Sequence, residues 1–251
     1  MHVDLKGKVA LVTGGARDIG RAVCLALADN GAKVVINYHS SAEAAKQLEA
    51  DIKSRGGDAI AVGADVSRQA DVENLINAAT EFGGRIDILV NNAGGLLARK
   101  KLEEMDEQFW DAVMALNLRS VFLVTRAAVQ HMGEGSAIVN LASLAARDGG
   151  GGGALAYSAA KGAVLTLTRG LSKELAPRRI RVNCVSPGLI DTTFHDTFTP
   201  PEIRKAVAGR TTIGREGRPE DVAEAVLFLA SDASSYINGE SIEINGGLYF
   251  V

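Results

Sequence analysis

"KVALVTGGARDIGRAVCLALAD", residues 8–29, passes from a β-rich apolar run through a glycine-rich turn into an apolar-periodic helix. A strand, turn and helix in that order turn main-chain N–H groups and the positive end of a helix toward one point, where an anion can sit. Glycine turns also serve as plain connections, so the neighbouring segments must decide between the two readings. At the place of the turn's second glycine stands Asp18. A carboxylate in a turn suited to phosphate requires an explanation.

The same alternation continues along the chain. Apolar β-rich runs at 8–13, 33–37, 59–63, 86–91, 136–142, 181–186 and 241–245 read as strands. Helical patterns lie near 18–29, 41–55, 68–81, 104–132, 154–176 and 219–231. Strands alternating with helices require right-handed crossovers and a parallel sheet. The expected fold is α/β: a single doubly wound Rossmann domain over residues 1–251, with a seven-stranded parallel sheet and helices on both faces. In such sheets ligands bind beyond the carboxyl ends of the strands, where the strand order switches.

Composition narrows the function. The 251 residues are 47% hydrophobic and 23% charged, with a formal net charge of −3. No run of Lys and Arg forms a nucleic-acid footprint. The N-terminal "MHVDLKGKVA" has no signal-peptide core, and no apolar run approaches the ~18 residues of a bilayer span. A cytoplasmic chain without a membrane or nucleic-acid partner is the expectation. Cys24 and Cys184 are read as buried free thiols. No metal site is expected.

After the second strand, a site preferring NAD ordinarily carries an acidic residue for the ribose 2′-hydroxyl. This chain has Asn37, Tyr38, His39, Ser40 and Ser41 instead. Ser40 and Glu43 fit a capping box, yet two hydroxyls at a helix start, with Arg17 nearby, also suit a 2′-phosphate. NADP(H) is favoured over NAD(H).

"YSAAK" sets Tyr157 and Lys161 four residues apart, on one face of a helix. Between Leu155 and Thr168, Lys161 is the only charged residue, so it is expected to be buried and to need a purpose. Ionising a tyrosine at pH 7 costs about 4 kcal/mol, and an ammonium about 4 Å away supplies an attraction of similar size. Tyr157 can then exchange a proton with a carbonyl or alcohol. Ser143, after the fifth strand, can donate a hydrogen bond to the same oxygen.

Together these residues resemble the short-chain dehydrogenase/reductase family over essentially the whole chain. The motifs are Thr13, Gly14 and Gly20; Asp65 and Val66; Asn91 to Gly94; Asn117; Ser143; "YSAAK"; Pro187 and Gly188; and the late "NGG". The resemblance implies Tyr157 as acid/base and Lys161 as the residue that lowers its pKa and holds the ribose hydroxyls. Ser143 would polarise the carbonyl, and Asn117 would hold a proton-passing water. It implies cofactor contacts from Gly14, Arg17, Asp18, Ile19 and Gly20, with Tyr38, Ser40, Ser41, Asp65 and Val66 toward the adenine side. Asn92, Ala93 and Gly94 would meet the cofactor's middle, and Pro187, Gly188, Ile190 and Thr192 its nicotinamide end.

Two departures from the family pattern stand out. Asp18 replaces the preferred glycine; it tolerates left-handed backbone and is expected to cap the helix while Arg17 offsets its charge. Thirteen residues separate Ser143 from Tyr157, where many members have 12, and the extra one lies in the run Gly149 to Gly153. These loops look like those of reductases acting on keto-uronates released from alginate. Gly95, Arg99, Arg147 and His195 are the substrate candidates; Arg99, Lys100, Arg147 and His195 either take a carboxylate or stand as solvated loop charges, and His195 is equally read as a surface lid residue. The first reading is reduction of a small polar carbonyl. The alternative is a 3-oxoacyl-[acyl-carrier-protein] reductase with "RKK" at 99–101 as carrier patch, and the remote one a non-catalytic dinucleotide-binding regulator. Charge-poor helices at 111–129 and 154–168 suggest an oligomer. The resemblance implies a homotetramer, with "GGLYFV" near one interface.

Overall fold

The computed structural model describes residues 3–251. Its seven strands form one parallel sheet in the order β3-β2-β1-β4-β5-β6-β7. They are β1 (Val9–Val12), β2 (Lys33–Tyr38), β3 (Asp58–Gly63), β4 (Ile88–Asn91), β5 (Ala137–Leu141), β6 (Arg181–Pro187) and β7 (Ser241–Ile244). The order reverses between β1 and β4, which places the crevice of a doubly wound sheet beside the glycine turn. Every residue of β1, β4 and β5 is buried, as continuous apolar strands covered on both faces must be.

Alternation along the strands divides the core. Ala10, Val12, Val34, Ile36 and Val90 point to the face covered by α1 (Asp18–Asp29), α2 (Ala42–Ser54) and α10 (Pro219–Ala230). Leu11, Val35, Leu89, Ile138 and Val182 point to the other. There α3 (Gln69–Gly83), α5 (Ser120–Ala128) and the 20-residue α7 (Leu155–Glu174) pack. Cys24 and Cys184 are both buried and unpaired, in agreement with the sequence.

Three features depart from expectation. The helical pattern at 104–132 is one run from Glu107 to His131, comprising α4 (Glu107–Met114), a π turn (Ala115–Arg119), α5 and a final 3-10 turn. Contrary to the expectation that no stretch is apolar enough, this run could cross a bilayer by length and composition. It nevertheless buries Val113, Val121, Val124 and Ala128 against the domain. Three further helices, α6 (Ala145–Asp148), α8 (Thr193–Phe198) and α9 (Pro201–Arg210), form where the sequence shows no helical periodicity. Finally, the N-cap of α2 is Ser41 and no side chain caps it, so the capping box of Ser40 and Glu43 does not form.

Candidate active site

The turn after β1 is fixed from two sides. Asn37 at the end of β2 accepts from the Gly14 N–H through Oδ1 and donates through Nδ2 to Ala64 O. Just past β4, Asn92 donates to the carbonyls of Thr13 and Gly14, while the N–H groups of Asn92 and Ala93 donate to Thr13 Oγ1. Gly20 lies so close under this turn that a Cβ there would stand 2.2 Å from Gly14 O. No side chain caps the first turn of α1, so its N–H groups remain available at the crevice. This closely approached backbone, with its free helix end, fits a dinucleotide pyrophosphate.

Asp18 does not cap α1; the N-cap is Arg17. Asp18 takes the left-handed conformation expected of it, with φ +51°, and its carboxylate faces the segment after β6. Oδ1 accepts from the Thr193 N–H at 3.1 Å and Oδ2 from Thr193 Oγ1 at 2.5 Å. The helix-cap expectation fails because a partner from elsewhere in the fold supplies both donors.

On the adenine side, Tyr38 is half-buried against Gly63, and Ser40 and Arg17 are exposed. No carboxylate follows β2 directly. Asp65 and Val66 follow β3; burial opposes ionisation of Asp65, but two hydrogen bonds from Ser67 outweigh it and hold the carboxyl below its ordinary value. On the other side, Pro187 ends β6, the Gly188 N–H donates to Ile244 O, and Ile190 and Thr192 are buried.

Between these flanks stand Ser143, Tyr157 and Lys161. Lys161 is 3% exposed and donates to Leu141 O at 2.7 Å. Burial pulls its pKa down to about 8. Burial pushes the Tyr157 phenol up, and a hydrogen bond with Ser143 offsets part of that. The Lys161 ammonium lies 5.8 Å from the tyrosine ring centre, and its hydrogen bond to Leu141 uses one of its three N–H donors.

Asn117 sits within the π turn, a distortion that often marks functional helices. Its side chain clamps Gly95, accepting from the Gly95 N–H and donating to Gly95 O and Val113 O. It therefore holds the 94–95 loop directly.

Sequence reasoning missed the supports. Asn91 donates to Thr125 and to Asn140, which in turn donates to Thr168 on α7, a buried chain that pins the Tyr157 helix to the sheet. Asn37, notable in the sequence only for lacking a charge, turns out to hold the glycine turn. Buried asparagines at strand ends are the signal that could have found both.

The substrate candidates separate. Arg147 is not available to a ligand, because its guanidinium pairs with Glu243 at 3.0 Å, both largely buried. His195 donates to or accepts from Thr199, and burial, then the nearby Arg204, lowers its pKa to about 4, so it is neutral at pH 7. Arg99 joins two walls, donating to Phe198 O at 2.8 Å and Gly152 O at 2.7 Å. Gly95 is held by Asn117 as above. Phe194 covers Tyr157, with ring centres 5.9 Å apart, and packs edge-on against Phe198.

A dinucleotide turn at the switch point and a half-buried tyrosine beside a buried lysine beyond β5 define a nicotinamide-dependent oxidoreductase. The Enoyl-(Acyl carrier protein) reductase family description matches residues 14–249. An uncharacterised oxidoreductase of Methylorubrum extorquens is 42% identical, over 97% of this chain and 98% of that protein. A 3-oxoacyl-[acyl-carrier-protein] reductase of Synechocystis is 43% identical, also over 97% and 98%. A Burkholderia cenocepacia short chain dehydrogenase solved with NADP superposes with a TM-score of 0.91 at 39% identity, over 97% of this chain and 98% of that one. The chain belongs to the short-chain dehydrogenase/reductase family.

Proposed function

We propose that the protein is an NADPH-favouring reductase of a small carbonyl compound, acting in the cytoplasm as a homotetramer. The observation that carries the chemistry is the grouping of Ser143, Tyr157 and Lys161 at the carboxyl end of β5. The bound nicotinamide would supply the hydride. Tyr157, kept protonated by burial, gives its phenolic proton to the substrate oxygen as that oxygen gains charge. Ser143 donates a hydrogen bond to the same atom, and Lys161, still cationic near pH 7, stabilises the phenolate left behind. NADPH is supported by the absence of a carboxylate directly after β2 and by the exposed Arg17 and Ser40, and by the NADP bound to the Burkholderia relative.

A keto-uronate asks for a cation. With Arg147 paired, His195 neutral, and Lys100 over the Phe109 ring and 3.9 Å from Asp106, Arg99 is the candidate left, so a neutral carbonyl suits the site better. The second reading, a 3-oxoacyl thioester, is favoured by the name of the Synechocystis relative.

The test is NADPH oxidation with acetoacetyl thioester, a keto-uronate and a neutral ketone, by wild type and Tyr157→Phe. The expected result is turnover of a neutral substrate, lost at least a thousandfold in the variant with NADPH binding kept. Turnover unaffected by Tyr157→Phe would refute the catalytic assignment, and a dinucleotide-binding regulator would show no turnover at all.

A further inference from the structure

β1 and β6 are not neighbours. β4 and β5 lie between them, so their carboxyl ends are three strand spacings apart, roughly 14 Å. The segment after β6 nevertheless reaches the turn after β1, where Thr193 meets Asp18 through both carboxylate oxygens. Residues 188–193 therefore form a strap across the crevice outside β4 and β5. This is the place assigned above to the dinucleotide, and the role of the strap rests on that reading.

The strap is internally stiff. Arg204 of α9 reaches Asp191 at 2.6 Å, Asp196 at 2.5 Å and Glu216 at 2.5 Å, while its side chain is only 15% exposed. Three carboxylates around one guanidinium bind α8, α9 and the 214–218 turn into a unit. Arg99 holds the far end of α8 through Phe198 O. The hydrogen bonds from the glycine turn to this unit are the two to Asp18.

We propose that Asp18 is a positioning residue that latches the strap over the bound dinucleotide and thereby slows its release. The carboxylate engages two donors on the strap, so its charge is spent away from the phosphates. A glycine at position 18 would offer the strap nothing. Thr193 also precedes Phe194, so the same latch sets the ring that covers Tyr157.

The test is stopped-flow release of NADPH from the full-length protein, by fluorescence, with wild type, Asp18→Gly, Asp18→Asn, Thr193→Val and the Asp18→Gly/Thr193→Val double. Loss of a charge-assisted hydrogen bond predicts release roughly tenfold faster for Asp18→Gly and Thr193→Val. KM for NADPH should rise in step. Asp18→Asn, which keeps an acceptor, should fall between, and the double should be no faster than Asp18→Gly, because the two residues act as one contact. Melting temperature should not fall in Asp18→Gly, since glycine is at ease at φ +51°; this separates a latch from a folding defect. Release within twofold of wild type, or slower, in Asp18→Gly overturns the latch and leaves the dinucleotide reading standing. Failure of wild type to bind either NADPH or NADH overturns both.

Discussion

Lys161 and Leu141 are joined by a 2.7 Å hydrogen bond that ties the helix carrying Tyr157 to the strand that leads into Ser143. One contact thus registers the three reacting side chains against each other. Burial sets the acidity of Lys161, which is 3% exposed: desolvation penalises the charged form, and the pKa settles at about 8.

That value sets a pH dependence. Below pH 8 Lys161 is charged in the free enzyme and can stabilise the Tyr157 phenolate; above it the charge is lost. Reductive kcat/KM should therefore decline as pH rises through about 8. In Lys161→Met the inflection should vanish and activity fall at least a hundredfold. A pH–rate profile from 6 to 9.5 checks both.

Arg147 and Glu243 form a second decisive pair. Removing the arginine leaves a carboxylate of 11% exposure without its cation, so Arg147→Ala should destabilise the fold by about 3 kcal/mol or more. Adding Glu243→Gln should recover part of the loss. Thermal and urea denaturation measure this. A raised substrate KM with an unchanged melting temperature would instead make Arg147 a ligand contact.

His195 links α8 to acid stability. Its folded pKa, about 4, lies below the ordinary 6.5. Between those values the unfolded chain binds the proton and the folded one does not, so this group's stability is full above pH 6.5 and is lost as pH falls toward 4. The slope approaches roughly 1.4 kcal/mol per pH unit. Urea titrations at pH 6.5 and 4.5 should show a smaller acid loss in His195→Gln than in wild type.

Cofactor choice depends on the residues around the adenine ribose. If Arg17 and Ser40 receive the 2′-phosphate, the paired change Arg17→Ala/Ser40→Ala should lower the NADPH-to-NADH ratio of kcat/KM roughly tenfold or more. Unchanged discrimination would remove both residues from the adenine site.

The sheet was legible because buried parallel strands are short apolar runs, and all seven appeared within two residues of their observed ends. The helix α1 was read to the residue. The π turn was not, since one extra residue in a turn leaves the 3.6-residue pattern almost intact over a short window. Helices α8 and α9 escaped because their order comes from Arg204 and its three carboxylates, which are contacts rather than periodicity. Asp18 and Arg147 were misassigned for the same reason: a charged residue's role depends on the partner that the fold brings to it, and Thr193 and Glu243 lie 175 and 96 residues away.

The glycine run beside Arg99 bears on how this protein can change. Gly149, Gly150 and Gly153 hold left-handed backbone, and Gly153 is pressed against Arg99 and Lys100. Gly152 has neither constraint: nothing stands within 4 Å of where its Cβ would be, and Arg99 grips only its carbonyl. A side chain could be added there without moving Ser143, Tyr157 or Lys161. Gly151, whose Cβ would meet only the far end of Arg99 at 3.5 Å, is open in the same way, so selection in nature or in the laboratory has two adjoining positions at which the mouth of the pocket can be narrowed by steps, while the chemistry beneath it is left alone.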